Sequence, residues 1–247
     1  MIPKIIHYCW FGRNPLPVSA QKCIESWRRF LPEYEIKEWN EGNFDVNVIP
    51  YTQQAYEARK YAFVSDYARY WILYHYGGLY FDTDVELIAP IDAIVARGNF
   101  MGIEKGAFLD GNPMVNPGLG LGVEKGHLFY EKMLQDYSNL SFKSKEGILN
   151  TTTIVEYTTK ELYTHGMKSL EDMQEVEGIW IYPADYFCPM DSTTGIVTKT
   201  SRTVSIHHYD CSWMNHGSLS FRIHQLKNCI YRLLGQKNAQ LINRFIH

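Results

Sequence analysis

The chain has 247 residues, of which 45% are apolar and 21% charged, with a formal net charge of −3. That composition reads as globular and not as disordered, and the length suits one α/β domain or one domain with a small appendage. The acidic balance argues against a general nucleic-acid binder, which needs a basic excess to displace counterions from phosphates.

Met1 to Pro17 has no basic region followed by an apolar stretch and a small-residue cleavage site, so no signal peptide is expected. No run reaches the ~18 apolar residues that span a bilayer. The five cysteines (Cys9, Cys23, Cys188, Cys211, Cys229) are scattered and form no CxxC pair. That argues against a disulfide framework or structural zinc and for a reducing, cytoplasmic setting.

Pro3 to Phe11 reads as a first strand, closed by Gly12 and the Pro15/Pro17 loop. Apolar residues at Ala20, Cys23, Ile24, Trp27 and Phe30 predict a helix over 19–30, with Ser19 as its N-cap. Tyr34 to Trp39 alternates as a second strand, so the chain opens β-α-β, with parallel neighbours. Tyr51 to Tyr76 predicts a long helical region with room for one break, stopped by Gly77-Gly78. Leu79 to Leu87 reads as one buried strand. Met101 to Ile103, Gly118 to Val123, Ile179 to Tyr182 and Thr203 to His207 read as further strands, and Leu128 to Tyr137 as a helix. From Cys211 to the end there is no acidic residue, while Arg222, Lys227, Arg232, Lys237 and Arg244 share the stretch with apolar residues at helical spacing. Residues 1–220 are therefore expected to form the main domain and 221–247 a basic amphipathic helical segment. That segment either lies on an anionic membrane surface or packs on the domain with a solvated basic face.

Asp82 and Asp84 flank Thr83 directly after Leu79-Tyr80-Phe81. On a strand, alternate residues share a face, so the sequence predicts both carboxylates on one side. Two close carboxylates repel unless a cation or proton lies between them, and hard oxygen ligands suit Mn²⁺ or Mg²⁺. Upstream, Asp66 and Arg69 are three apart on the predicted helix, amid Tyr61, Phe63, Val64, Trp71, Ile72 and Leu73. A charged pair in that setting needs a reason, and the hydroxyls of a sugar or a diphosphate supply one. Two other readings stand beside this. Phe81-Asp82-Thr83-Asp84-Val85 looks like the nucleophile motif of haloacid-dehalogenase phosphatases, although some eighty residues precede it. A non-catalytic sugar- or nucleotide-binding module would keep Trp10 and the aromatic surface without needing Asp84.

The stretch AFVSDYARYWILYHYGGLYFDTDVEL, with IPKIIHYCWFG at the start, resembles glycosyltransferase family 32 and, more distantly, the glucosylating domains of large clostridial toxins. The likeness extends to IYPADYFCP and SIHHYDCSW. It implies a GT-A fold, that is, a Rossmann-like α/β sandwich carrying a DxD motif, with a divalent cation and retention at the anomeric carbon. By matched motif, Trp10 stacks on the donor base, and Ser65 and Tyr80 line the nucleoside pocket. Asp66 and Arg69 hold the sugar, Asp82 contacts ribose and sugar, and Asp84 binds the metal. His208 resembles a late metal-ligand histidine, and Ser212 and Trp213 a closing segment at the phosphates. The toxins separate that Ser and Trp by one residue, whereas here they adjoin.

Asn116 and Asn150 are candidate polar contacts on the acceptor side, and Glu104, Asp110 and Glu124 candidate acceptor-activating groups. The resemblance further implies a UDP-sugar donor in preference to a GDP-sugar, with galactose or glucose as the sugar, and a glycan or lipid-linked glycan acceptor. The expected setting is capsular or surface polysaccharide synthesis at the inner membrane face. No carboxylate stands out as a covalent nucleophile, so the expected route is front-face attack, with the departing phosphate taking the acceptor proton.

Overall fold

Burial of two faces of one sheet organises the chain. The computed structural model describes residues 1–168, 172–192 and 195–210. Strand β1 (Ile5–Cys9) runs parallel to β2 (Glu35–Trp39), and helix α1 (Val18–Phe30) crosses between them, as the β-α-β pattern predicts. The N-cap of α1 is Pro17, two residues before the expected Ser19; no side chain accepts a capping bond there, and Ser19 lies inside the first turn.

The predicted long helix is two, α2 (Pro50–Glu57) and α3 (Tyr61–Tyr76). α3 ends where Gly77 and Gly78 take φ values of +66° and +109°, which only glycine adopts freely. The chain then turns into β3 (Gly78–Tyr80), parallel to β1. Buried His7 pins this corner. Its Nδ1 accepts from Trp39 Nε1 at 3.0 Å, and its Nε2 donates to the Gly77 carbonyl at 2.9 Å. Burial holds its pKa down at about 4, so the ring is neutral and acts as a structural peg.

The strand expected over 79–87 is broken. β3 stops at Tyr80, and β4 (Val85–Leu87) belongs to a separate two-stranded sheet with β10 (Ser205–His207). The chain changes sheets between them, through a turn closed by Val85 N–H donating to the Asp82 carbonyl at 3.0 Å. The two carboxylates therefore sit on a turn at the end of β3, not side by side on a strand face.

Beyond α4 (Asp92–Arg97), β5 (Phe100–Leu109) and β6 (Asn112–Asn116) form a hairpin, and β7 (Leu121–Val123) lies antiparallel to β3. Helices α5 (Leu128–Ser138) and α6 (Ile154–Thr164) follow, then β8 (Gln174–Val176), β9 (Ile179–Tyr182) and the short α7 (Ala184–Phe187). The main sheet has the order β2-β1-β3-β7-β5-β9-β8, with β6 on β5. Alternation splits its residues between two cores. Tyr80 joins Val64, Tyr67, Tyr70 and Leu73 of α3 on one face. Leu79 and Phe81 join Cys23, Ile24 and Trp27 of α1 on the other. Helices thus cover both faces, the layered α/β arrangement the sequence predicts. Among the described residues no helix is long and apolar enough to cross a membrane. The boundary at 220 and the segment 221–247 lie outside the described residues.

Candidate active site

The ends of β1 and β3, one flank of α3 and the start of α6 enclose a cavity of about 410 Å³. That is the size of a small-molecule site, and it opens beyond the carboxyl ends of parallel strands, where open α/β sheets bind ligands. Trp10, Ser65, Asp66, Arg69, Tyr80, Asp82, Asp84 and Asn116 all line it. Asn150 does not: it is held between Tyr157 and the Thr152 N–H. Asp110 is at the β5–β6 hairpin tip with a φ of +50°, and Glu124 pairs with the N-terminal amine of Met1. Ser212 and Trp213 lie outside the described residues.

Arg69 is the hub of one end. Its Nη2 reaches Asp66 Oδ1 at 3.0 Å and Asp82 Oδ1 at 3.3 Å, while its guanidinium lies 4.8 Å over the Tyr80 ring. Tyr80 in turn donates to Asp82 Oδ1 at 3.2 Å. Burial pushes the Asp66 carboxyl up to about 6, against the pull of Arg69, and its second oxygen takes the Ile154 N–H at 3.4 Å. Burial likewise raises Asp82, again opposed by Arg69.

The other end is built around Asp84. Its Oδ1 lies 3.1 Å from His207 Nε2, and its Oδ2 accepts from Asp210 N–H at 3.0 Å. Burial works against the His207 charge, but Asp84, seconded by Asp82 and Glu104, pushes the imidazole up to about 9. Burial also opposes the Asp84 charge, yet His207 and the Asp210 N–H outweigh it and hold the carboxyl below its usual range.

Here the structure differs from the expectation for His208. That residue points away, with Nε2 2.9 Å from Glu86 Oε2. Adjacent strand residues face opposite sides, and the inward one is His207. Among the described residues, Asp82, Asp84 and His207 bring one ligand atom each within 4.8 Å of one another. Two carboxylate oxygens and an imidazole nitrogen suit a divalent cation such as Mn²⁺. His207 Nδ1, buried without a hydrogen-bond partner among the described residues, leaves Nε2 as the nitrogen facing the carboxylates.

The floor is a tight turn. Gly118 donates to Asn116 Oδ1 at 2.7 Å, and its carbonyl takes the Asp82 N–H at 3.1 Å. A Cβ on Gly118 would overlap Asp82 Oδ2. Gly118→Ala is therefore expected to displace the Asp82 carboxylate from Arg69, at a cost of about 1–3 kcal/mol for overpacking. Melting of the variant, read beside calorimetric titration with nucleotide sugar, checks this: lower stability and weaker binding should appear together.

Three lining features were not singled out as site residues from the sequence. His207 was hidden by the ambiguity of a His-His pair. Thr153 to Val155, at the start of α6, carry a signal in Thr153-x-x-Glu156, whose Thr side chain accepts from the Glu156 N–H. Tyr209 lines the cavity at a φ of +53° and had no sequence signal.

This fold is the GT-A fold of glycosyltransferases. A glycosyltransferase involved in the glycosylation of the major capsid of PBCV-1 superposes with a TM-score of 0.50 at 11% identity, over 85% of this chain and 95% of that one. More narrowly, residues 17–101 match the glycosyltransferase sugar-binding region containing a DXD motif, and Asp82-Thr83-Asp84 is that motif here. Inositol phosphoceramide mannosyltransferase 3 of Schizosaccharomyces pombe is 28% identical over 192 residues, 73% of this chain and 49% of that protein. Mannosyltransferase 2 of the same series and organism is 33% identical over 99 residues, 38% of this chain and 28% of that protein. The chain thus spans about half, or less, of the length of the curated relatives it matches. The phosphatase alternative rested on the Asp82–Asp84 segment alone, and neither the fold nor the matched region supports it.

Proposed function

We propose that this protein is a metal-dependent glycosyltransferase that moves a hexose from a nucleotide sugar to a hydroxyl of a glycan or lipid-linked glycan. The observation that carries the reading is the convergence in one cavity of the DXD carboxylates, an inward histidine and the buried Asp66–Arg69 pair. Asp84, His207 and Asp82 are the residues that would hold the cation, which would supply charge neutralisation at the donor diphosphate. Asp66 and Arg69 offer an acceptor and a fixed fork of donors to sugar hydroxyls. Trp10 lines the opposite end, its Nε1 committed to the Asn14 carbonyl at 2.6 Å, which fixes the ring's orientation as a base platform would require.

Two supports bear on the donor and they differ. The toxin-like context of Trp10 and Ser65–Arg69 favours a uridine donor carrying galactose or glucose. The names of the relatives speak for mannose. Retention, Mn²⁺ as the cation and work at the inner membrane face in capsular or surface polysaccharide synthesis belong to the same reading. They rest on the family resemblance and, for the membrane, on the basic residues after position 220.

The test incubates the protein with Mn²⁺ and a panel of UDP- and GDP-hexoses, following donor binding by calorimetry and nucleoside diphosphate release. Binding of one donor that vanishes without metal and in Asp84→Ala is the expected result. Absence of metal-dependent binding across the panel would sink the reading.

A further inference from the structure

Of the four carboxylates that line the cavity, Asp66 and Asp82 share Arg69, and Asp84 faces His207. Glu104, the fourth, is held by two neutral donors from separate parts of the fold. Asn116 Nδ2 donates to its Oε2 at 2.9 Å, and the Tyr209 hydroxyl donates to its Oε1 at 3.0 Å. Burial pushes the Tyr209 phenol up, so it stays a donor. Each carboxylate oxygen accepts about two hydrogen bonds, so both keep room for a group in the cavity. A carboxylate free in this way matches two donors side by side, as it matches the fork of an arginine. Neighbouring hydroxyls on a sugar ring present such a pair.

The same braces fix Glu104 relative to the DXD carboxylates. The Asn116 amide is committed at both ends: its Oδ1 accepts from Gly118 N–H at 2.7 Å, and the Gly118 carbonyl takes the Asp82 N–H at 3.1 Å. Asn116 is thus a brace, and the carboxylate it holds is the group left to meet a ligand. From the other side, the Tyr209 ring centroid lies 4.2 Å from that of His207, and the next residue, Asp210, gives its N–H to Asp84 at 3.0 Å. The backbone aims the side chain as well. β5 pairs with β6 through Gly102–Asn116 and Ile103–Val115, and the register then shifts before Phe108. Glu104 opens that irregularity, the kind of feature that re-aims a side chain beside a site.

The donor has other contacts. Asp66 and Arg69 come from α3 and Trp10 from the end of β1, whereas Glu104 comes from β5. A carboxylate repels a donor diphosphate, so Glu104 is left to the acceptor. Its place beside the metal-type cluster brings the acceptor in from the diphosphate side, which front-face attack requires.

We propose that Glu104 anchors the acceptor, its carboxylate taking two neighbouring, non-reacting hydroxyls of a pyranoside. The inference rests on the transferase reading. It leaves the proton of the attacking hydroxyl to the departing phosphate, as the front-face route expects. Asn116 and Tyr209 are positioning residues that hold the anchor in register with Asp82 and Asp84.

The test uses Mn²⁺ and the nucleotide sugar that the parent binds. Nucleoside diphosphate release is followed in water alone, then with methyl glycosides of galactose, glucose and mannose and their monodeoxy analogues as acceptors. Glu104→Gln should lower the ratio of transfer to hydrolysis by about tenfold or more, chiefly through a higher acceptor KM, since a hydrogen bond to a charged group is lost. Glu104→Asp, which keeps the charge but draws it back, should show the same change in milder form. The deoxy analogues separate anchoring from a structural role. At least one should be about tenfold poorer than its glycoside for the parent, and that penalty should fall to about threefold or less in Glu104→Gln, because the group that reads the missing hydroxyl is gone. An unchanged transfer-to-hydrolysis ratio overturns the proposal. So does an equal deoxy penalty in parent and variant, or a parent that binds donor yet is indifferent to every glycoside and deoxy change. Loss of donor binding in a variant that still melts cooperatively would make Glu104 a donor ligand and overturns it too. Failure of the parent itself to bind any nucleotide sugar is a separate outcome, seen before the variants are compared, and defeats the transferase reading instead.

Discussion

Replacing Arg69 by methionine should lower stability by about 3–5 kcal/mol at pH 7, because it leaves the buried Asp66 and the partly buried Asp82 without their cation. The arginine is 5% exposed and Asp66 8%. Together with Asp82 they form a triad in which one guanidinium serves two acids. Methionine fills much of the volume, so the loss isolates the charge and not the packing. The pH dependence separates the two further. Burial already pushes the Asp66 carboxyl up to about 6 against the pull of Arg69, and removing the guanidinium raises it more. An acid whose folded pKa lies above its unfolded value holds more protons when folded, so stability rises as the pH falls through the folded value. The deficit of Arg69→Met should therefore be largest near pH 7–8 and shrink towards about pH 5, as the raised Asp66 carboxyl takes its proton. Denaturant titrations of both proteins at those pH values read the difference directly. A deficit that does not change with pH would mean that Arg69 acts through packing alone.

What the sequence showed of this site followed from local rules. The helical spacing of Asp66 and Arg69 placed them on one face, and they pair within α3 as expected. The β-α-β opening, the Gly77-Gly78 stop and the layered α/β class were legible for the same reason: each depends on periodicity or on a glycine φ within a few residues. What was not legible depends on long-range pairing. Nothing in LYFDTDVEL says that its two halves belong to different sheets, because the partner that captures Val85–Leu87 is Ser205–His207, far along the chain. That pairing also decides which of two adjacent histidines faces Asp84. The antiparallel register sets His207 opposite Val85 and sends His208 to Glu86. The same holds for Glu104, which the sequence offers on equal terms with Asp110 and Glu124: it is singled out only by the fold, which brings Asn116 and Tyr209 onto it in the cavity wall.

Cation binding at Asp82, Asp84 and His207 should release close to one proton per ion at pH 7 and tighten about tenfold per pH unit up to about pH 9. In the metal-free protein Asp84 holds His207 protonated, with a pKa of about 9 against an ordinary value of 6.5. A ligand nitrogen must be neutral, so the ion displaces that proton, and the displacement becomes easier as the pH approaches 9. The same shift has a signed effect on stability. A base whose folded pKa is raised contributes fully below its unfolded value and loses the contribution as the pH rises through the folded one. The metal-free protein should thus lose roughly 1–3 kcal/mol between pH 6.5 and 9, and the Mn²⁺-bound protein should not, because its imidazole is already neutral. Calorimetry of Mn²⁺ in buffers of different ionisation enthalpy counts the protons, and melting curves across that range with and without Mn²⁺ test the stability. Two variants assign the effect. His207→Gln should abolish both the proton release and the pH slope, whereas His208→Gln, which removes only the contact with Glu86, should preserve them. Affinity that is flat from pH 7 to 9 in the parent would mean that His207 remains an ion-pair partner of Asp84 and never a ligand.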